Sequence, residues 1–209
     1  MSKPRLILGS GSPQRNRLMQ QAGYRFEVIR PHDSAECGIC SSCGPATLVV
    51  DLALRKAADV AAQLAEQATT EQAANLIIAC DTVAECGGII LGKPRDEDHA
   101  QEMLKQLSGT VHRVYSGLCL WPIGMENPLR PIETEVATTE LKMDALDDEE
   151  IDTYLETGLW RGKAGAFGLQ DRPDWLHIVE GSESNVIGLP VELLEKMLTP
   201  WNLQPNPGD

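Results

Sequence analysis

The stretch Arg5-Leu6-Ile7-Leu8-Gly9-Ser10-Gly11-Ser12-Pro13-Gln14-Arg15 divides into three parts. Leu6-Ile7-Leu8 is an uninterrupted apolar run, the pattern of a short buried strand. Gly9-Ser10-Gly11-Ser12 breaks that run with small turn residues. Pro13 then suits the first turn of a helix, where no N–H partner is needed, and Ser12 before it suits the N-cap. The helix runs to about Ala22 and stops at Gly23, and Phe26 to Ile29 reads as a second strand. Strand, glycine-serine loop, helix, strand is the opening of an α/β fold.

Working outward, Pro31 to Gly44 reads as a loop and Pro45 to about Ala68 as a strong amphipathic helix. Its stripe of Leu48, Val49, Leu52, Ala53, Ala57, Val60, Ala61 and Leu64 recurs at helical spacing. Lys56 lies inside that stripe, four residues from both Leu52 and Val60. A buried lysine is costly unless it meets an anion or other polar partner, and the alternative is that it snorkels to water. Leu76 to Ala79 reads as a buried strand ending at Cys80-Asp81-Thr82, and Ile89 to Leu91 as a short strand. Asp96 starts a helix with an inner face of Ala100, Met103, Leu104 and Leu107. His112 to Trp121 and Glu133 to Met143 read as two long antiparallel strands, with His112 and His99 in exposed positions. Asp147 to Glu156 is a helix, Gly162 to Gln170 a compact glycine-rich turn, and Leu176 to Val179 a strand. Gly181 to Gly188 reads as a loop, Pro190 to Leu198 as a last helix, and Trp201 to Asp209 as a loose tail.

The chain of 209 residues is long enough to bury a core without disulfides or metal. Its net charge of −13 argues against a nucleic-acid groove, which needs a basic face. The acidic surplus is concentrated between Glu133 and Thr157, so basic patches can survive elsewhere. No apolar run has the length of a membrane span and no signal-peptide pattern opens the chain, so a cytoplasmic protein is the expectation.

Four features carry chemistry. The Gly9–Arg15 loop offers outward backbone amides, a helix N-terminus, and the Ser12 and Arg15 donors, which together suit a phosphate; a plain strand–helix turn has the same pattern. Asp81, just past a strand, lies where open α/β sheets bind ligands and could hold a metal or activate water, or else cap a turn. Lys93, fixed between Gly92 and Pro94, suits a phosphate contact, or is an exposed turn lysine. The run Gly162-Lys163-Ala164-Gly165-Ala166-Phe167-Gly168-Leu169-Gln170 brings backbone close to something, and Gln170 could read a base edge; a packed turn is the alternative. The histidines show no ligand spacing and no nucleophile triad is evident. Carboxylates with lysines and arginines around such a loop fit metal-assisted attack of water on a phosphate.

The blocks Ser10-Gly11-Ser12-Pro13-Gln14-Arg15, Asp81-Thr82-Val83, Leu91-Gly92-Lys93-Pro94, Leu107-Ser108-Gly109, Gly162 to Gln170 and Ser184-Asn185-Val186-Ile187-Gly188-Leu189-Pro190 resemble, in order and spacing, those of the Maf family. They cover about residues 5 to 198. The resemblance implies an elongated α/β fold of two lobes with a central mixed β-sheet flanked by helices and a cleft between the lobes. Residues 1–200 would form this single domain and 201–209 a flexible tail. It implies a nucleoside triphosphate pyrophosphatase that cuts the α–β phosphoanhydride to monophosphate and pyrophosphate, with a divalent cation, usually Mg2+, and often as a homodimer.

By the same resemblance Asp81 is the general base and a metal ligand, and Glu36 an acid of the second loop, candidate for metal or water. Ser12 and Arg15 belong to the phosphate loop, Lys56 to a lysine that meets an anion, and Lys93 to the Gly-Lys-Pro lysine. Thr82 and Gln170 match positions linked to substrate choice. Gln14 stands where the family usually has a second arginine, a loss of fixed charge that bears on nucleotide preference. Phe167 stands where Tyr is common. The Asp-Thr-Val and Lys-Ala-Gly patterns resemble the thymidine/uridine triphosphate branch rather than the 7-methyl-GTP branch, and with Gln14 modified pyrimidines stay open. Two other classes remain: an inosine triphosphate pyrophosphatase, and a non-catalytic nucleotide-binding regulator of division. Cys37, Cys40 and Cys43 have metal-ligand spacing that Cys80, Cys86 or a histidine could complete, while a plain loop or a redox switch are the other readings.

Overall fold

A computed structural model describes residues 3–36, 43–67, 74–124 and 131–205. Seven strands form one mixed sheet: β1 (Arg5–Leu8), β2 (Phe26–Val28), β3 (Asn75–Cys86), β4 (Ile89–Leu91), β5 (Val111–Ile123), β6 (Glu133–Met143) and β7 (Leu176–Glu180). The order is β2-β1-β3-β5-β6-β7, with β4 also on β3. β2 and β3 flank β1 in parallel; all the other pairings are antiparallel. Parallel pairs need a crossover. Here α1 (Pro13–Gln21) joins β1 to β2, and α2 (Pro45–Gln67) lies between β2 and β3.

Local chemistry sets the helix ends. The Ser12 hydroxyl accepts from the Arg15 N–H, with Pro13 in the first turn, as the sequence predicts. Asp96 caps α3 (Glu97–Leu107), and Asp147 with Glu150 forms a capping box on α4 (Asp148–Glu156). The stripe of α2 is buried from Leu48 to Val60 against β3 and β5.

The sheet places a gap where the chemistry will fall. β5 pairs with one edge of β3 from Asn75 to Glu85 without interruption. On the opposite edge β1 pairs only as far as Ile78, where the Gly9 N–H donates to the Ile78 carbonyl, and β4 begins pairing at Ala84. Among the described residues, no strand covers that edge from Ala79 to Val83. β1 feeds Gly9–Ser12 into the gap from one side, and β4, running antiparallel, brings Gly92 and Lys93 to it from the other.

Four expectations need correction. Asp81 is not past a strand end but in the middle of β3, because Thr82 to Cys86 continue the alternation and pair with β5 and β4. Within Gly181–Gly188, α5 (Glu183–Ile187) forms on the Ser182 N-cap. His112 is buried, since it projects with Val114 into the core under α3 and α4. Trp201, assigned to a loose tail, is buried with α6 (Val191–Leu198), and Leu203 packs against the same cluster.

Candidate active site

Lys56 is the centre of the site. Its side chain is only 5% exposed, and Nζ lies 2.5 Å from Asp81 Oδ1 and 2.9 Å from Glu36 Oε1. α2 delivers the lysine to the sheet, β3 delivers Asp81 at the gap, and a 3-10 turn (Asp33–Glu36) delivers Glu36. A buried ammonium without partners would cost several kcal/mol. Two carboxylates on one Nζ offset that cost, which removes the snorkelling alternative. Glu36 Oε2 also faces Lys93 Nζ at 3.8 Å. Partial burial pushes the Glu36 carboxyl up, but the Lys56 hydrogen bond and charge, with Lys93 and Arg15, outweigh it and hold the group below the usual carboxylate range.

Strand alternation sends Thr82 to the opposite face of the sheet from Asp81. There Arg15 donates from Nε to the Gly188 carbonyl at 2.8 Å and from its terminal nitrogens to Thr82 Oγ1 and Ser10 Oγ. Thr82 Oγ1 also bonds Ser116 Oγ at 2.8 Å. The Ser10 hydroxyl accepts from the Ser12 N–H, and Ser12 Oγ donates to Gln14 Oε1, so Gln14 is tied to the loop instead of presenting a charge. Arg15 is therefore held by three partners on the Thr82 face of the sheet before any ligand arrives.

The glycine-rich turn closes the far wall. The Gly165 N–H donates to the Gly92 carbonyl, tying the turn to the end of β4. Lys163 pairs with Asp171, and Tyr154 on α4 donates to the same carboxylate at 2.8 Å. Burial is the first cause raising the Tyr154 pKa, followed by its bond to Asp171. Lys163 is thus a structural partner of this turn, while Gln170 is exposed at the rim.

One cavity of about 520 Å3 takes in Ser12, Gln14, Arg15, Glu36, Lys56, Asp81, Thr82, Lys93 and Gln170. All nine predicted site residues are thereby brought to one space. Sequence reading assigned no role to Ser10, Ser116 or the Gly188 carbonyl, which orient Arg15 and Thr82; Ser10 and Gly188 lay within recognised blocks, while nothing in the sequence pointed to Ser116. It also missed that the cavity reaches an apolar compartment with His112 at its wall. Cys37 and Cys40 lie outside the described residues, and Cys43 is exposed. Cys80 and Cys86 are buried in separate clusters on either side of the gap. Among the described residues, no group of three or more His, Cys, Asp or Glu side chains could hold a metal ion.

The glycine-serine turn at a helix N-terminus, a lysine between two carboxylates, a second lysine and an anchored arginine line one cavity, an arrangement whose chemistry suits a polyanionic ligand. The family model for Maf-like protein matches residues 5–201, and the chain belongs to that family. Curated relatives agree. A dTTP/UTP pyrophosphatase of Rhodopirellula baltica is 48% identical over 92% of this chain and 80% of its own length. Those of Carboxydothermus hydrogenoformans and Thermococcus kodakarensis are 38% and 36% identical, over 94% and 92% of this chain and 98% and 94% of theirs. No helix among the described residues is long and apolar enough to cross a membrane.

Proposed function

We propose that the protein is a nucleoside triphosphate pyrophosphatase of the pyrimidine type, releasing a nucleoside monophosphate and pyrophosphate. The observation that carries the chemistry is the Lys56 ammonium buried between Asp81 and Glu36 at the sheet gap, facing the Ser12 loop, Arg15 and Lys93. The names of the relatives carry the substrate class.

Water adds to one phosphorus of the α–β bridge and the bridging P–O bond breaks, which divides the triphosphate into nucleoside monophosphate and pyrophosphate. Asp81 receives the proton of the water. Arg15, Lys56 and Lys93 neutralise the charge that spreads over the phosphate oxygens, and amides of the Ser12 loop add donors. Lys56 has a second duty: it keeps two carboxylates close together without repulsion. Asp81 and Glu36 suit Mg2+, which is commonly held by one or two carboxylates and completed by phosphate oxygens and water. When bound, the ion would supply further charge neutralisation on the phosphates. Thr82, Gln14 and Gln170 then stand toward the nucleoside end. This reading treats residues 1–200 as one unit with the gap between its two lobes. The family resemblance supports a homodimer.

The test is pyrophosphate release with Mg2+ over a panel of nucleoside triphosphates. Monophosphate and pyrophosphate should appear fastest with UTP or dTTP. Asp81→Asn should lower kcat by about 100-fold or more, the typical worth of a positioned base. Orthophosphate with nucleoside diphosphate would place the cut elsewhere, and tight nucleotide binding without turnover would favour a regulator.

A further inference from the structure

Arg30 lines the same cavity but has no part in the site described above. It follows β2, where the Ile29 N–H donates to the Leu8 carbonyl, and Pro31 restricts the residue before it to extended backbone. α2 then fixes the chain. Gln63 donates to the Arg30 carbonyl at 3.0 Å, and Asp59 accepts from the His32 N–H at 3.0 Å. Gln63 also donates to that carboxylate at 2.8 Å. A clamp of this kind on an exposed loop aims what the loop carries. At its far end the loop delivers Glu36 to Lys56. At its near end the Arg30 side chain lies against Gly11: a Cβ built there would be 3.4 Å from Arg30 Cδ and 3.6 Å from Nε. The arginine stem thus rests on the bare backbone of the turn between Ser10 and Ser12.

The charges of the cavity give this arginine a task. Its carboxylates are Asp33, Glu36 and Asp81. Lys56 is shared by two of them, Lys93 faces Glu36, and Lys163 is taken up by Asp171. Arg15 directs its donors to Gly188, Thr82 and Ser10, and Gln14 adds no charge. Arg30 differs from all of these. It is exposed, and among the described residues no hydrogen bond or ion pair engages its guanidinium. A triphosphate brings several negative charges, and the carboxylates leave the other cations little surplus to meet them.

We propose that Arg30 binds the terminal phosphate of the triphosphate and holds the pyrophosphate group as it leaves. The inference rests on the pyrophosphatase reading above, in which the nucleoside lies toward Thr82, Gln14 and Gln170. The phosphates then run along the α2 face, with the reacting bridge at Asp81 and the far end beyond the Gly9–Ser12 turn. Reach agrees with this. Lys56, which faces Asp81, and Gln63, which holds Arg30, are seven residues apart on α2, about 10 Å. Gly9 packs on Val60 between them. The row of phosphates and the arginine side chain cover that span from opposite ends. Chemistry agrees as well. A guanidinium presents parallel N–H groups in a planar fork, which matches the oxygens of a terminal phosphate.

The experiment measures binding of inorganic pyrophosphate and of UMP by calorimetry, each with Mg2+, together with KM and kcat for UTP. It compares the wild-type protein, Arg30→Gln and Arg30→Lys. Arg17→Gln, on an exposed position of α1 outside the cavity, controls for bulk charge. Arg30→Gln should weaken pyrophosphate binding about 10- to 100-fold, the worth of a charge-assisted contact, and leave UMP unchanged. KM for UTP should rise by a similar factor with kcat within about threefold, because the contact exists both before and during cleavage. Arg30→Lys should recover part of the loss, since it keeps the charge without the fork. Arg17→Gln should bind as the wild type does. An equal loss for UMP, or the same loss in Arg17→Gln, would make the effect a general one and overturn the proposal. Pyrophosphate binding that is unchanged in Arg30→Gln, or absent from the wild type, would overturn it too. Absence of turnover on every triphosphate, with pyrophosphate binding still lost in Arg30→Gln, would overturn the pyrophosphatase reading alone and leave Arg30 as a diphosphate ligand.

Discussion

Gly117→Ala should damage both stability and catalysis, although the residue touches no substrate. Gly117 sits on β5 directly opposite Asp81. A Cβ built there would lie 2.5 Å from the Val49 carbonyl carbon and 2.7 Å from the Val50 nitrogen, both in the backbone of α2. Backbone cannot rotate out of the way as a side-chain tip can. An ordinary contact requires α2 to retreat by about 1 Å, and overpacking of that kind costs about 1–3 kcal/mol. Lys56 is seven residues, two helical turns, from Val49 and so lies on the same face of α2. The retreat that admits the methyl group therefore carries Nζ away from Asp81 and Glu36. A displacement of 1 Å at a reacting centre can cost about 100-fold in rate. Urea unfolding would read the first effect and pyrophosphate release at saturating substrate the second. A fall in stability with kcat unchanged would refute the coupling of α2 position to Lys56 geometry. An unchanged protein would refute the close approach itself.

Three further outcomes follow from the same structure. Lys56→Gln leaves Asp81 and Glu36 facing each other without their shared cation. Stability should fall by about 1–3 kcal/mol, less than for a fully buried pair because Glu36 is half exposed, and Mg2+ should raise the melting temperature more in this variant than in the wild type. His112 should make the protein acid-sensitive above the usual carboxylate range. Its folded pKa of about 4 lies below the unfolded value of 6.5, so the unfolded chain takes up the proton first as pH falls. About 3 kcal/mol should be lost between pH 6.5 and 4, and His112→Phe should flatten that part of the stability curve. Gly181→Ala should cost about 1–3 kcal/mol, because the residue has φ +108° and its Cβ would meet Thr139 Cα at 2.7 Å; a melting curve unchanged from wild type would contradict this.

Much of the fold was legible because its signals are local. The α2 stripe, the Ser12-Pro13 start and the Asp96 and Asp147 caps each act within one or two turns of chain. Asp81 was misplaced for the opposite reason. Whether a strand continues past an acidic residue is decided by its neighbours, here β5 on one edge and β4 on the other, and those lie far away in sequence. His112 was misread on the same ground. Alternation along β5 shows which residues share a face with Val114, but only the packing of α3 and α4 on that face makes it interior.

Site residues were legible as blocks, yet the blocks do not explain why they meet. The gap in the sheet does. A strand edge left unpaired for five residues would normally be a liability, since bare N–H and C=O groups invite another strand. Here the edge is only long enough for a ligand, and it is framed by the amide-rich turn after β1 and the Gly92-Lys93 end of β4. Because Asp81 and Thr82 are consecutive, the gap gives a ligand access to both faces of the sheet at one point. The acid and its lysine stand on the α2 side, while Arg15, Thr82 and the apolar compartment stand on the other. A β4 three residues longer toward Lys93 would pair the edge and close the passage. Those three positions are Gly92, Lys93 and Pro94, and Pro94 has no N–H for a ladder. A variant with Pro94 replaced that lets the strand extend should lose nucleotide binding by calorimetry while the cores on either side stay intact, and unchanged binding with the edge paired would refute the role of the gap.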